Sequence, residues 1–258
     1  MTDTLPKISV VTPSLNQAQY LEATIKSILD QEYPNLEYII IDGGSDDGSV
    51  EIIEEYSDSL AYWISEPDEG QTDALIKGFD RATGEVMGWL NSDDLYYPHT
   101  LREVGETFVR NPQWQVVYGD SLLIDDKDQP VKPKREIGFN RFIWMYDHNY
   151  IPQPSTFWRR GIYEQVQGLN AKWNLAMDAD LWIRFAEHTT LHHVPRMWSR
   201  FRIYPEQKNQ SLRDRSDEED ALIRSRYLPV ESTGRRRLKQ VTARGLRVAL
   251  KTARGAYW

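Results

Sequence analysis

The sequence contains no cysteine, so it can form no disulfide framework and offers no thiolate as a nucleophile or metal ligand. It also lacks any apolar run close to the roughly 20 residues that a membrane-spanning helix needs. A strand-like apolar segment begins already at Ile8, which leaves no room before it for a secretory signal peptide. We therefore expect a cytoplasmic protein.

Three common functional motifs are absent as well. No Gly-x-Gly-x-x-Gly follows the first predicted strand, which disfavours a dinucleotide-binding fold of the usual kind. No Gly-Lys-Ser/Thr phosphate loop is present, which disfavours an ATPase. No Gly-x-Ser-x-Gly elbow presents a serine nucleophile. Carboxylates are then the main candidates for catalysis.

Length and charge limit the possible architectures. The 258 residues, of which 40% are hydrophobic and nine are tryptophan, suit one α/β domain with an appendage or two small domains. Eight of the 31 Lys and Arg residues lie in residues 232–258, where there is no Asp or Glu. The remainder holds 23 basic and 39 acidic residues, a net charge of −16. Such an acidic body argues against a nucleic-acid partner.

The first 95 or so residues alternate between strand and helix patterns. The predicted strands are 7–11, 36–41, 60–65 and 85–90, and the predicted helices are 16–31, 50–56 and 71–82. This alternation predicts an α/β fold with a wound, mostly parallel central sheet that has helices on both faces. The later pattern predicts a helix at 101–109, a strand at 115–120, a hairpin tip at 125–130, a helix ending at 186 and a short strand at 191–194.

Residues 139–158 are aromatic and show no regular period. Two interpretations remain open for these side chains: they belong to the core, or they form a stacking wall for a sugar or an apolar acceptor. The aromatic residues are Phe139, Phe142, Trp144, Tyr146, Tyr150, Phe157 and Trp158.

Carboxylates stand at three places where strands end or helices begin: Asp42, the Asp93–Asp94 pair, and Asp178 with Asp180. Ligands of open α/β sheets bind at the carboxyl ends of the strands. Hard divalent ions such as Mg²⁺ and Mn²⁺ bind one or two carboxylates together with substrate phosphates. The alternative is that these acids are ordinary turn formers, helix caps or partners of the helix dipole.

Six motifs in this order resemble the family-2 glycosyltransferases over about residues 6–212. They are Ile8–Asn16, Ile40–Ser49, Asp68–Gly78, Leu90–Asp94, Gln153–Phe157 and Met177–Arg184. The resemblance implies the type-A nucleotide-sugar transferase fold. It divides the chain into a glycosyltransferase domain (1–212), with a nucleotide-binding half (about 1–95) and an acceptor half (about 96–212), and a helical, basic extension (213–258).

The resemblance also implies roles for individual residues. Asp94 would hold Mn²⁺ or Mg²⁺, in a motif where Asn91 replaces the first acid of the family. Asp178 would be the catalytic base, with Asp180 as the alternative because Met177 stands where many relatives carry glutamate. The nucleotide site would contain Thr12, Pro13, Asn16, Asp42, Asp68, Lys77 and Asp93. The residues near the diphosphate or the acceptor would be Asp180, Arg202, Lys208 and Ser211.

The function implied by the resemblance is inverting, metal-dependent transfer of a hexose-like sugar. The donor would be a nucleoside-diphosphate sugar, in the first place a UDP-sugar, and the acceptor a hydroxyl of a glycan or glycolipid in bacterial-type polysaccharide or glycolipid assembly. Two alternatives remain. A sugar-nucleotide nucleotidyltransferase usually has a Gly-rich, basic loop after its first strand, and residues 12–17 have neither feature. A catalytically idle sugar-nucleotide-binding module would be expected to have lost carboxylates, and here all three carboxylate positions are filled.

Residues 232–258 form a basic, amphipathic segment of low hydrophobicity. The later basic residues recur at helical spacing, and Leu238, Val241, Val248 and Ala249 form an apolar stripe. Helices of this class lie in membrane interfaces, so we expect peripheral contact with the inner face of the membrane. The alternative is a helix that is solvated or docked on the acidic body.

Overall fold

The computed structural model describes residues 5–256, without the side chains of Asn209 and Gln210. The strands are β1 (Ile8–Ser14), β2 (Leu36–Asp42), β3 (Tyr62–Ser65), β4 (Val86–Trp89), β5 (Leu95–Tyr96), β6 (Val116–Ile124), β7 (Pro130–Lys134), β8 (Thr156–Arg159) and β9 (Leu191–Arg202). The helices are α1 (Ala18–Leu29), α2 (Ser49–Glu55), α3 (Gln71–Arg81), α4 (Thr100–Arg110), α5 (Arg141–Tyr146), α6 (Arg160–Gln165), α7 (Met177–Ala186), α8 (Lys208–Ser211), α9 (Arg213–Ser225) and α10 (Thr233–Ala253).

All nine strands belong to one sheet in the order β3-β2-β1-β4-β8-β6-β9-β5, with β7 paired to β6. The first four strands in this order are parallel, as βαβ crossovers require. β8 then pairs antiparallel with both β4 and β6, and β9 returns to a parallel pairing with β6. The predicted wound α/β sheet is confirmed, with its parallel core within the first 95 residues.

Helices cover both faces of this sheet, which explains why β1 and β4 are buried at every position and are mostly apolar. Val10 and Ile40 belong to the buried cluster beneath α1, whereas Val11 and Ile41 belong to the cluster beneath α3. Neighbouring residues of one strand point to opposite faces, so each strand contributes side chains to two separate cores. Gly78 allows the close approach of α3, because a Cβ atom there would lie 2.4 Å from Val11 Cγ1.

The second half of the chain departs from the sequence-based expectation in its short elements. β5, α5, β8 and α6 were not predicted, and α5 and most of β8 fall in the stretch 139–158 that shows no regular period. β9 extends to Arg202, well beyond the strand predicted at 191–194. The hairpin tip predicted at 125–130 joins β6 to β7 and is confirmed. Short or half-polar strands carry little periodic signal of their own, and long-range pairing decides them.

The aromatic residues of 139–158 belong to the core. Trp144, Tyr150, Phe157 and Trp158 are completely buried, and none of the seven borders the large cavity described below. The stacking-wall interpretation is therefore wrong for these side chains. Trp158 packs edge to face against Trp89, 5.5 Å between centroids. Such pairs add about 0.5–1.5 kcal/mol to the free energy of burial.

Helix α10 docks on the body through its charged face, next to α5. Ala243 is fully buried in this contact, and Lys251 is 9% exposed. Three side chains of the helix form ion pairs with acids of the body or of the segment before the helix. The pairs are Lys239–Glu231, Arg247–Asp147 and Lys251–Glu136. The inner face of α10 therefore docks on the acidic body, as the alternative to membrane contact proposed.

The outer face of α10 is apolar and faces solvent. Leu238 and Val241 remain 68% and 71% exposed, and Val248 lies on the same side of the helix. The exposed Arg237 and Arg244 flank this stripe. None of the helices within residues 5–256 combines the length and the apolar composition that a membrane crossing requires.

Candidate functional site

A cavity of about 660 Å³ opens at the carboxyl ends of β1 and β4. Pro13 and Ser14 border it from β1, residues 91–93 border it from the loop after β4, and Lys208 and Ser211 border it from α8. Its remaining walls come from the end of β7, the segment before β8 and the start of α7. This is the crevice in which ligands bind to open α/β sheets.

Asp42 ends β2 and is completely buried. Its carboxylate accepts hydrogen bonds from the backbone N–H groups of Gly44 and Ser45 at 3.0 and 2.8 Å. The hydroxyls of Ser45 and Ser65 also donate to it, at 2.6 and 2.7 Å. These donors shape the turn after β2, and the carboxylate does not border the cavity. Its contact with a nucleotide base stays a prediction.

Asp68 connects this turn to the cavity. A Cβ atom at Gly43 would lie 2.8 Å from Asp68 Oδ2, so a larger residue where the two loops meet would displace the Asp68 carboxylate. Asp68 borders the cavity and accepts a hydrogen bond from the N–H of Gly70 at 2.8 Å. Of the acids in the two loops, Asp68 is the one placed to meet a ligand.

Of the three residues predicted to bind the nucleotide at the end of β1, one borders the cavity and two do not. Pro13 borders the cavity, and Thr12 lies buried, where its hydroxyl accepts a hydrogen bond from that of Tyr38 at 3.1 Å. Asn16 has a φ of 51° and does not border the cavity. Its N–H donates to Ser45 Oγ at 2.8 Å, so it joins the loop after β1 to the Asp42 turn.

Two lysines predicted for the site take different positions. Lys77 lies on α3, pairs with Glu66 at 3.0 Å and with Asp73 at 3.3 Å, and does not border the cavity. Lys208 borders the cavity, and its Nζ donates to the carbonyl of Asn174 at 2.9 Å. Burial lowers the pKa of Lys208. Lys208 therefore supplies a positive charge to the cavity, and Lys77 does not.

The Asp93–Asp94 pair shows two carboxylates in different surroundings. Asp93 borders the cavity, and its Oδ2 accepts hydrogen bonds from the hydroxyl of Tyr204 at 3.0 Å and from Gln207 at 3.4 Å. Asp94 is completely buried; its Oδ1 accepts from the backbone N–H of Arg202 at 2.8 Å, and its Oδ2 has no partner within the described residues. Burial raises the pKa of both carboxyls, and the charge of Asp93 raises that of Asp94 further.

These two carboxylates fit a hard divalent ion. They offer oxygen ligands, one atom is unpartnered, and a cation nearby would offset the cost that raises both pKa values. No three acidic, His or Cys side chains within residues 5–256 converge as a complete metal cluster. An ion at this pair would thus need further ligands from a substrate, as Mg²⁺ commonly does.

Arg202, predicted near the diphosphate, lies almost completely buried behind the pair. Its Nε donates to the carbonyl of Asp93 at 2.7 Å, and its Nη2 lies 2.7 Å from a carboxylate oxygen of Asp128 in the β6–β7 hairpin. The guanidinium also stacks over Tyr20. The side chain does not border the cavity, and it joins the hairpin to the Asp93 loop.

Asp178 and Asp180 lie in the first turn of α7 and face different surroundings. Asp178 borders the cavity, and its Oδ2 accepts a hydrogen bond from Asn149 Nδ2 at 2.9 Å. Asp180 accepts hydrogen bonds from Trp173 Nε1 at 3.0 Å and from Arg184 Nε at 2.8 Å, inside the core. Residues two apart on a helix do not share a face, which explains the division.

Burial raises the pKa of Asp178 to about 6, and this outweighs the lowering by hydrogen bonds from Ala179 and Asn149. A carboxyl with a pKa near the working pH is suited to take a proton from a hydroxyl and release it again. The geometry therefore gives the cavity a candidate general base at the start of α7.

Two residues on the same wall were missed from the sequence. Lys134, at the end of β7, borders the cavity and donates to the carbonyl of Tyr150 at 2.7 Å. Asn149 borders the cavity and holds Asp178. Lys134 lies in a Pro- and Lys-rich strand and Asn149 in the aromatic stretch, so no local pattern distinguishes either residue.

A model of the family described as Glycosyl transferase family 2 matches residues 9–167, more than half of the chain. An uncharacterised glycosyltransferase of Rickettsia typhi is 26% identical over 226 residues, which cover 84% of this chain and 70% of the relative. Other relatives are longer, and the match to one from Rickettsia conorii spans only 36% of its length.

Solved structures share the fold. S. aureus TarS 1–349 in complex with UDP-GlcNAc has a TM-score of 0.68 over 91% of this chain and 70% of that one, at 16% identity. Mannosyltransferase PcManGT from Pyrobaculum calidifontis, in complex with GDP-Man and Mn²⁺, has a TM-score of 0.64 over 97% and 76%, also at 16% identity. The fold is the type-A glycosyltransferase fold, and the chain belongs to glycosyltransferase family 2.

Proposed function

We propose that the chain transfers a sugar from a nucleoside diphosphate to an acceptor hydroxyl, with inversion at the anomeric carbon. The observation that carries this proposal is the position of Asp178. A half-buried carboxyl with a pKa of about 6 borders the same cavity as Asp68, Asp93 and Lys208. Asp180 remains the alternative base, and its two hydrogen bonds in the core speak against it.

In the proposed reaction, Asp178 takes the proton of the acceptor hydroxyl while the hydroxyl oxygen forms a bond to the anomeric carbon. The bond from that carbon to the diphosphate oxygen breaks, and its electron pair leaves with the diphosphate. A single displacement of this kind inverts the configuration. Help from a positioned general base typically contributes ~10²–10⁴-fold to the rate.

A divalent ion, Mn²⁺ or Mg²⁺, belongs to this proposal. Asp94, with Asp93 beside it, would hold the ion together with oxygens of the diphosphate. When bound, the ion would act as a Lewis acid that neutralises negative charge on the departing diphosphate. The unpartnered Asp94 oxygen and the raised pKa values of the pair support this assignment. Lys208 would add a second positive charge from α8.

We further propose a UDP-sugar as the donor, because TarS is a neighbour of this fold in complex with UDP-GlcNAc. PcManGT, in complex with GDP-Man and Mn²⁺, makes GDP-sugars the second class to test. Pro13 and Asp68 would lie near the nucleotide, with the Asp42 turn behind them. Within the 1–212 domain, the half at about 1–95 would then bind the donor, and the half at about 96–212 would bind the acceptor.

Nucleotide release from a panel of UDP- and GDP-sugars, with and without Mn²⁺, tests this function. We expect release of a nucleoside diphosphate from at least one donor, and we expect a chelator to abolish it. Release of pyrophosphate from a nucleoside triphosphate and a sugar 1-phosphate would instead identify a nucleotidyltransferase. Tight donor binding without turnover, in the presence of glycan and glycolipid acceptors, would identify an idle binding module.

For the acceptor we propose a glycan or glycolipid of bacterial-type surface polysaccharide assembly, used at the cytoplasmic face of the membrane. The outer face of α10 supports contact with an anionic lipid surface, because an exposed apolar stripe is flanked by arginines there. The 213–258 extension would thus bring the cavity close to an acceptor carried on a lipid.

A further inference from the structure

Helix α10 holds a loop that carries the partner of Asp178. Arg247 forms an ion pair with Asp147, and both side chains are about 15% exposed. Two residues after Asp147, Asn149 donates to Asp178 Oδ2 at 2.9 Å. The loop between them has little secondary structure of its own, so its position depends on such contacts.

The same helix holds the end of β7. Lys251 Nζ lies 2.8 Å from Oε2 of Glu136, a carboxylate that is only 1% exposed. The other oxygen of Glu136 lies 3.4 Å from Nζ of Lys134, which borders the cavity. Lys134 also donates to the carbonyl of Tyr150 at 2.7 Å, and this bond joins the strand end to the loop that carries Asn149.

The two ion pairs are sheltered, so each has a strong effect on the position of the segment it holds. A buried charge that loses its partner is left uncompensated, and the local structure must move to hydrate it. Arg254 adds a third contact by donating to the backbone carbonyl of Glu136. Two contacts from α10 and one from the residue that follows it therefore hold the two chain segments that flank Asp178.

We propose that Arg247 and Lys251 are positioning residues for the transfer reaction: through Asp147 and Glu136 they hold Asn149 and Lys134 against the Asp178 side of the cavity. This inference rests on the proposed role of Asp178 as the base. Neither residue touches the cavity, and both lie in the extension that follows the 1–212 domain. The extension thereby contributes to the acceptor side of the active site.

Arg247→Gln and Lys251→Gln test the proposal in the full chain, with the sugar nucleotide from the UDP and GDP panel that releases its nucleotide fastest. We expect kcat to fall roughly 10- to 100-fold, because small displacements of reacting groups have effects of that size. The KM for the donor should stay within about twofold, since Asp68 and Lys208 are held by other segments. Arg247→Lys should retain more activity than Arg247→Gln.

A charge exchange separates positioning from simple loss of stability. Asp147→Arg combined with Arg247→Asp should restore kcat towards the parent value, whereas either single change lowers it. Arg110→Gln is the matched control, because it breaks an exposed arginine–glutamate pair on α4 with Glu106. We expect that variant to keep its kcat, its donor KM and its unfolding temperature.

The outcomes distinguish this inference from the proposed function. Unchanged kcat in folded Arg247→Gln and Lys251→Gln, together with an inactive Asp178→Asn, would overturn the positioning role alone. A parallel loss of kcat, donor affinity and unfolding temperature, without recovery in the charge exchange, would also overturn it. Full activity of Asp178→Asn would remove the proposed function on which the inference rests.

Discussion

The two sides of the cavity are built in different ways. On the donor side, the turn at Asp42 and the loop at Asp68 each follow a strand of the parallel core, and backbone N–H groups two or three residues away donate to both carboxylates. Ser65, at the end of the neighbouring strand β3, adds one further donor to Asp42. On the other side, Asp178 depends on Asn149, and the segments around it depend on α10, about 100 residues further along the chain. The first side is a set of local motifs, and the second is a tertiary assembly.

Because the two sides are built differently, we expect mutations on one side to change nucleotide binding and mutations on the other to change turnover. Changes in a local turn should act on nucleotide binding, because the turn folds through its own hydrogen bonds and is proposed to lie next to the nucleotide. Changes on the Asp178 side should act on turnover, because Asp178 is the proposed base for the acceptor hydroxyl. The ratio of the effect on kcat to the effect on donor affinity therefore shows whether a mutation on one side of the cavity also affects the function of the other side.

The largest effect is expected for Asp178→Asn. The amide cannot take the proton of the acceptor, so kcat should fall by ~10²-fold or more, the scale of lost general-base help. Donor affinity, measured by calorimetry, should change little, because the donor-side loops are untouched.

Asp180→Asn is the comparison for that variant. Asp180 is hydrogen-bonded in the core by Trp173 and Arg184, so the change should lower the unfolding temperature. Its kcat should fall far less than that of Asp178→Asn. If Asp180→Asn abolished turnover in a folded protein while Asp178→Asn retained it, the base would be Asp180.

Asp94→Asn should lower turnover by about 10²-fold, since a Lewis acid at the leaving group contributes several kcal/mol. The fold should tolerate this change, because burial and the charge of Asp93 already raise the pKa of Asp94 and favour its neutral form. Turnover and unfolding temperature, each with Mn²⁺ and with a chelator, check both statements. A variant that remained fully active in chelator would disprove the metal assignment.

Asp42→Ala tests the donor side. The carboxylate is expected to bind the nucleotide base, and losing a hydrogen bond to a charged group should weaken nucleotide binding by about 1.5–3 kcal/mol. Calorimetry with the nucleoside diphosphate measures this directly. Ser65→Ala is the control, because it removes one donor to Asp42 but leaves the carboxylate in place. Unchanged affinity of a folded Asp42→Ala would exclude the predicted role.

The same contrast explains how far the sequence could lead. Strands β1 to β4, the loops after them and the candidate acids follow from apolar periodicity and from contiguous motifs, which are local properties of the chain. Lys134 and Asn149 could not be found in this way, because tertiary contacts bring them to the cavity: the pairing of β7 with β6 for Lys134, and the hydrogen bond to Asp178 for Asn149. The inward burial of Arg202 likewise depends on the long, irregular pairing of β9 with β6.

The pH dependence of kcat should follow Asp178. Its pKa is raised from 3.8 to about 6 by burial, so the deprotonated base is lost as the pH falls through 6. Turnover should then drop about tenfold for each further pH unit. The effect on stability has the opposite sign: the folded state binds this proton more tightly, so the contribution of Asp178 to stability grows as the pH falls from about 6 towards 4. A kcat profile that is flat between pH 5 and 7 would contradict the assignment.

The smallest single effect is expected on the outer face of α10. Of the eight basic residues in 232–258, Lys239, Arg247, Lys251 and Arg254 contact the body, which leaves Arg235, Arg236, Arg237 and Arg244 for a lipid surface. The full chain should co-sediment with anionic vesicles at low salt, whereas a chain that ends at Glu231 should not.

Each arginine near such a surface adds about 1 kcal/mol, so Arg237→Gln should lower the partition coefficient about fivefold. Arg110→Gln removes the same charge from α4 and should leave the partition unchanged. Because Arg237 flanks the outward stripe and is separate from the inward ion pairs, its loss should not alter kcat on a soluble acceptor. Equal sedimentation of the full and shortened chains, or none by either, would show that α10 serves only the interior of the molecule.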